Sequence, residues 1–113
     1  TKFEYMFKNN LPNGQGKVWK KSYNSSIYTK EILVFQGNFV NGYMEGYGES
    51  FPDLGTSFKG NFRNNFFDGY GELVKIVPET GLVINSYKGE FYQDYYHGKG
   101  ELYQHQAWDN FNF

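Results

Sequence analysis

Three copies of one glycine-spaced pattern run through this chain, and few folds accommodate them. Phe35-x-Gly37-x-Phe39 leads to Gly46-x-Gly48, Phe58-x-Gly60-x-Phe62 leads to Gly69-x-Gly71, and Tyr87-x-Gly89-x-Phe91 leads to Gly98-x-Gly100. In every copy the second glycine follows the first by nine residues. A weaker copy at the front runs from Phe3-x-Tyr5-x-Phe7 to Gly14-x-Gly16 at the same spacing, and eleven of the 14 glycines fall in these slots. Such self-similarity marks a repeat architecture, whose units are too small to bury an apolar face alone and must stack on their neighbours.

Each half of the pattern alternates with period two. In Phe58-Lys59-Gly60-Asn61-Phe62 the aromatics and the glycine point one way and the polar residues the other, while Gly69, Gly71 and Leu73 share a face opposite Tyr70 and Glu72. Two short strands joined by a turn of about five residues make each copy a β-hairpin. Glycine inside a strand signals close backbone approach, so each slot glycine is expected to leave room for an aromatic ring from the adjacent strand. Five residues after the first slot stand Asn10, Gly42, Asn65 and Asp94, the residue types that best tolerate the left-handed backbone of a tight reversal. The links between copies differ. Phe51 to Phe58 is short, Val74 to Ile84 reads as apolar strands extended around Pro78-Glu79-Thr80-Gly81, and Lys20 to Leu33 is longest. No segment has a helical period. The expected fold is all-β, a single-layer ribbon of four consecutive antiparallel hairpins at residues 3–19, 35–51, 58–74 and 87–103. Phe3, Phe7, Phe35, Phe39, Phe58, Phe62, Tyr87 and Phe91 are expected to form two ladders on its packed face, so that Phe62→Ala destabilises far more than Tyr70→Ala.

Composition limits what such a ribbon can do. The chain has 113 residues, suiting one domain, and 22% are aromatic. With few aliphatic residues the core must be thin and aromatic. A net charge of −1 lacks the basic excess that nucleic-acid binding needs, so no nucleic-acid partner is expected. Lysine is concentrated at the front, where Lys17, Lys20, Lys21 and Lys30 form a candidate lipid-binding cluster, each contributing about 1 kcal/mol near an anionic surface. There is no cysteine, hence no disulfide framework or thiolate nucleophile, which favours a cytosolic setting. Asn24-Ser25-Ser26 satisfies the N-glycosylation rule, a short pattern common by chance, and no apolar run is long enough to span a bilayer. The chain starts at Thr1 rather than Met and reads as a fragment of a longer one. Neither catalytic nor metal-ligating residues are expected: His97 and His105 are the only histidines, and nothing in their spacing enforces a three-ligand site. His97 reads as a solvated residue of a hairpin turn. Gly-Tyr-Gly and Gly-Lys-Gly lack the context of a phosphate loop, and no cofactor is implied.

Tyr87-Lys88-Gly89-Glu90-Phe91, continuing to Gly98-Lys99-Gly100-Glu101-Leu102, resembles the MORN repeat (membrane occupation and recognition nexus), and the copies at 35 and 58 resemble it nearly as closely. The first copy departs from the pattern at Tyr5, and Phe111-Asn112-Phe113 resembles the start of a fifth. The resemblance implies a grooved, elongated single-layer array that is not an enzyme and assembles other proteins. Such arrays occur in ciliary radial spokes, cytoskeletal scaffolds and membrane-junction proteins, so the expected location is cytoplasmic, cytoskeletal or ciliary, with a peripheral membrane site as the alternative. Beyond the ladder, the chain carries Tyr47, Tyr70 and three aromatic or methionine pairs in equivalent slots: Tyr43-Met44, Phe66-Phe67 and Tyr95-Tyr96. Aromatics are enriched at protein interfaces, so these six paired residues are the candidate protein-binding positions. Self-association through the open ends of the ribbon is a further expectation, and a membrane is a less favoured partner.

Overall fold

A computed structural model describes residues 2–23 and 29–105. Eight strands follow one another: β1 (Lys2–Lys8), β2 (Leu11–Tyr23), β3 (Thr29–Val40), β4 (Tyr43–Asp53), β5 (Thr56–Arg63), β6 (Phe66–Ile76), β7 (Val83–Tyr92) and β8 (Tyr95–Gln104). Each pairs antiparallel with the next, giving one sheet in sequence order and a body 15 Å thick in its thinnest dimension. The expected all-β, single-layer ribbon of hairpins is what the chain forms. Asn24, Ser25 and Ser26 of the glycosylation pattern and Phe111 to Phe113 of the fifth copy lie outside the described residues.

The hairpin turns are tighter than the expected five residues. Each has two central residues, Asn9-Asn10, Asn41-Gly42, Asn64-Asn65 or Gln93-Asp94, all with φ between 48° and 88°. Left-handed conformation at both positions is the reversal whose twist matches that of the flanking strands. The remaining residues between the two glycine slots continue the strands, so His97, expected in a turn, is the third residue of β8.

These turns also lock each repeat to the one before. Asp94 N–H donates to Phe67 O at 3.0 Å while Phe67 N–H donates to Asp94 Oδ1 at 2.7 Å. Asn65 forms the same reciprocal pair with Met44, at 3.2 and 2.8 Å. At the first joint Gly42 has no side chain to accept and Pro12 no N–H to donate. Only the bond from Gly42 N–H to Pro12 O remains, at 2.9 Å, and Asn41 N–H turns to Asn13 Oδ1 instead. Asp94→Gly preserves the left-handed turn but deletes the acceptor. It is expected to destabilise the fold by about 1–2 kcal/mol, read from the urea midpoint, with Asp94→Asn nearer wild type.

The core is a strip of rings on one face of the sheet. Among the described residues Phe35, Phe39, Phe58, Phe62, Tyr87 and Phe91 are the buried hydrophobic side chains, and no second layer covers them. They cover one another. From Tyr5 the contacts run through Phe39, Phe35, Phe62, Phe58 and Phe91 to Tyr87 with centroids 4.8 to 5.4 Å apart, every contact edge-to-face. Phe67 lies flat on Phe58 at 3.7 Å, and Tyr96 flat on Tyr87 at 3.9 Å. Beneath the rings six slot glycines face one another in register, Gly37 with Gly48, Gly60 with Gly71 and Gly89 with Gly100, whereas Gly14, Gly46, Gly69 and Gly98 have no ring against them and take φ from 64° to 94° instead. The Phe58 ring occupies the place a Cβ on Gly71 would take.

Two expected ladder members meet the strip at its end, against the Tyr5 ring at 5.5 and 5.7 Å, but are not buried. Phe3 and Phe7 are 55% and 64% exposed. Both belong to β1, the outermost strand of the described sheet, where no neighbouring hairpin supplies a ring against them. Tyr5 stands where the other repeats have glycine, and its own ring covers Gly16 and meets Phe39 at 4.8 Å. The first repeat thus fills with one residue the space that Phe35, Phe58 or Tyr87 fills from two positions earlier.

Candidate interaction surface

Opposite the rings, the sheet presents side chains of the other parity in rows that cross all eight strands. One row is charged. Register places Glu4, Lys17, Gln36, Glu49, Lys59, Glu72, Lys88 and Glu101 side by side, one per strand, with charge signs alternating except at Gln36. Unlike charges directly across from one another support the pairing modestly. Between this row and the hairpin turns lie Asn38, Asn61 and Glu90, with Tyr47 and Tyr70 more than half exposed. A groove of about 680 Å³ follows these rows over the first two repeats, lined by Gln15, Lys17, Gln36, Asn38, Tyr47 and Glu49 among others.

At the turn edge the three residue pairs are split between the faces. Because the turns are tight, Tyr43, Phe66 and Tyr95 open β4, β6 and β8, where they pair across with Val40, Arg63 and Tyr92. They are 52%, 43% and 76% exposed and form a row on the face away from the rings. Their neighbours Met44, Phe67 and Tyr96 turn the other way onto the aromatic strip. Met44 and Phe67 are partly buried against it, and Tyr96 stacks on Tyr87. Val40 and Tyr92, also exposed, extend the outward row. They escape the sequence reading because their slots follow the second ladder residue, inside what looks like a turn.

The four candidate lysines do not converge. Lys17 belongs to the charged row, and Lys21 faces Glu31 across the β2–β3 extension. Glu31 is also engaged by Lys2 at 3.6 Å, which reaches Glu4 at 3.3 Å and lies over the Trp19 ring. Lys20 pairs across with Ile32, and Lys30 with Ser22, which puts these two lysines on one face of the extension.

At the link edge the same strands carry apolar side chains. Ile32, Leu33 and Val34 of β3, Phe51 and Pro52 of β4, Leu54 of the β4–β5 turn, and Val74 and Ile76 of β6 line a second groove of about 560 Å³. The turn Asp53-Leu54-Gly55-Thr56 is held against β6 by Ile76 N–H donating to Gly55 O at 2.7 Å. The apolar residues at 32, 34, 74 and 76 have the parity opposite to the ring slots, and that wrong-side periodicity is the signal by which sequence alone marks this groove.

His97 is exposed and lies 5.7 Å from the Tyr92 ring, and among the described residues no cluster of His, Cys, Asp and Glu suits a metal ion. No helix of the described residues is long and apolar enough to cross a membrane.

The profile of the MORN repeat matches four segments, residues 6–25, 35–56, 58–75 and 87–104, which together cover more than half of the chain. No curated protein matches the chain significantly.

Proposed function

Because the chain belongs to the MORN-repeat family, we propose that it is a non-catalytic scaffold that assembles protein partners on the face opposite its aromatic strip. MORN repeats are non-catalytic modules for protein and membrane interaction. The observation that carries the reading is the row of Tyr43, Phe66 and Tyr95. Three large aromatics stand in one repeat slot, exposed, while the residue beside each is used for packing. Exposed aromatics in a regular row, beside a mixed-charge ladder that supplies register, have the character of interface anchors with a polar surround.

The split between neighbours provides the test. The triple replacement of Tyr43, Phe66 and Tyr95 by serine is expected to leave the thermal midpoint within a few degrees of wild type while abolishing capture of partners by tagged protein. Phe67→Ser, beside Phe66, is expected to lower the midpoint strongly, because it uncovers Phe58. Unchanged capture by the folded triple variant would remove this row from the interface. We further propose a cytoskeletal setting, with a ciliary axoneme as one instance, on the strength of where such arrays occur. Retention of the tagged protein in the fraction insoluble in non-ionic detergent supports it, and release by buffer alone contradicts it. A phospholipid-binding role is the second reading, favoured by Lys20 and Lys30 on one face. It requires co-sedimentation with anionic vesicles that weakens as salt is raised.

A further inference from the structure

The link-edge groove has a chemistry that the scaffold reading does not use. Its walls are the side chains of Ile32, Val34, Phe51, Leu54, Val74 and Ile76, and its volume of about 560 Å³ lies within the range of sites that enclose small apolar ligands. Two charged residues border it, Lys20 and Asp53. Asp53 is already committed. Its Oδ1 accepts Gly55 N–H at 2.8 Å, and the hydrogen bonds from Gly55 and Thr56, with Lys75 nearby, hold its carboxyl below the usual range. Lys20 has no carboxylate within ion-pairing distance among the described residues, and Lys30 shares its face.

An apolar trough that ends at a lysine selects a molecule with an apolar chain and an anionic end. The lining offers Thr56 and Ser57 as its uncharged polar side chains. A peptide backbone buried here would leave amide groups without partners, at a cost that a methylene chain avoids. We propose that the groove binds a long-chain carboxylate, one molecule per chain, with the hydrocarbon along Val34, Phe51, Val74 and Ile76 and the carboxylate at Lys20. This site is separate from the aromatic row at the turn edge, so it stands or falls independently of the scaffold reading.

The test uses the full chain and sodium dodecanoate below its micelle concentration, followed by calorimetry and amide chemical shifts. Saturable binding is expected, with shifts concentrated at Ile32–Val34, Phe51–Thr56 and Val74–Ile76. Affinity should rise about fourfold per added methylene from decanoate until the groove is filled. Lys20→Gln is expected to weaken dodecanoate about tenfold without moving the thermal midpoint, and dodecanol should bind about as weakly to either protein. Equal affinity for dodecanol and dodecanoate would overturn the anionic assignment, as would indifference to Lys20→Gln. Shifts confined to the ring face would overturn the site. Binding to anionic vesicles without binding to the monomer would replace it with a membrane surface. Tighter binding of an apolar peptide amide than of dodecanoate would replace it with a peptide groove.

Discussion

Phe58→Ala is expected to bring the array to the edge of unfolding at ambient temperature. Phe58 is fully buried although the sheet has only one layer. Phe67 covers it face-on, Phe62 and Phe91 abut it edge-on, and the bare backbone of Gly71 lies beneath it. Its removal leaves a cavity with no second layer able to collapse into it. It also breaks the direct ring chain between the third and fourth hairpins, leaving Phe62 and Phe91 joined through Phe67. A buried phenylalanine replaced by alanine costs about 3–5 kcal/mol, a large part of the roughly 5–15 kcal/mol that holds a domain together. Tyr70→Ala is the control. Tyr70 is large and aromatic too, yet it is 53% exposed on the other face, and its loss is expected to cost under about 1 kcal/mol. Thermal melts of both variants decide the matter. Similar midpoints would mean that the ring chain is not what stabilises the sheet.

The repeat pattern made the fold legible because its constraints are local and act at every copy. A glycine nine residues after a glycine, flanked by aromatics, needs a hairpin to explain it, and alternation tells which side chains share a face. What alternation cannot tell is what lies on the far side of a strand. Phe3 and Phe7 have the sequence of ladder residues and the surroundings of an edge, so they remain exposed while Phe35 and Phe39 are buried. Turn length was the other hidden quantity. Asn65 and Asp94 were readable as left-handed residues, but their second use, accepting an N–H from the preceding repeat, is a contact across more than twenty positions that no local pattern shows. The tight turns in turn decide the fate of each pair. Moving Phe66 and Phe67 from a loop into a strand places them on opposite faces, one on the surface row and the other against Phe58. The position of the candidate interface therefore follows from the length of a turn.

Gly60→Ala is expected to cost as much as losing a core ring, although it adds a single methyl to a position with no side chain. Gly60 and Gly71 face each other in register on β5 and β6. A Cβ on Gly60 would lie 2.5 Å from Gly71 Cα and 2.7 Å from Tyr70 O, with the Phe58 ring at 3.0 Å. Two of these three neighbours are backbone, and the third is the most enclosed side chain in the core, so none can give way cheaply. To admit the methyl, β6 must move off β5, which breaks ladder hydrogen bonds and lifts Phe58 from its seat together. Overpacking of this kind commonly costs about 1–3 kcal/mol, and the loss of ring contacts adds to it, so about 3–5 kcal/mol is expected, near the upper end for single substitutions. Gly69→Ala separates the two ways a glycine can matter. At Gly69 a Cβ would meet Asn61 at ordinary distances of 3.5 Å and beyond, and the cost is the left-handed backbone at φ +94, about 1–2 kcal/mol. Urea midpoints should therefore fall in the order wild type, Gly69→Ala, Gly60→Ala. The reverse order would show that the sheet opens easily at the glycine pairs, and that left-handed backbone rather than close backbone contact is what the repeated glycines supply.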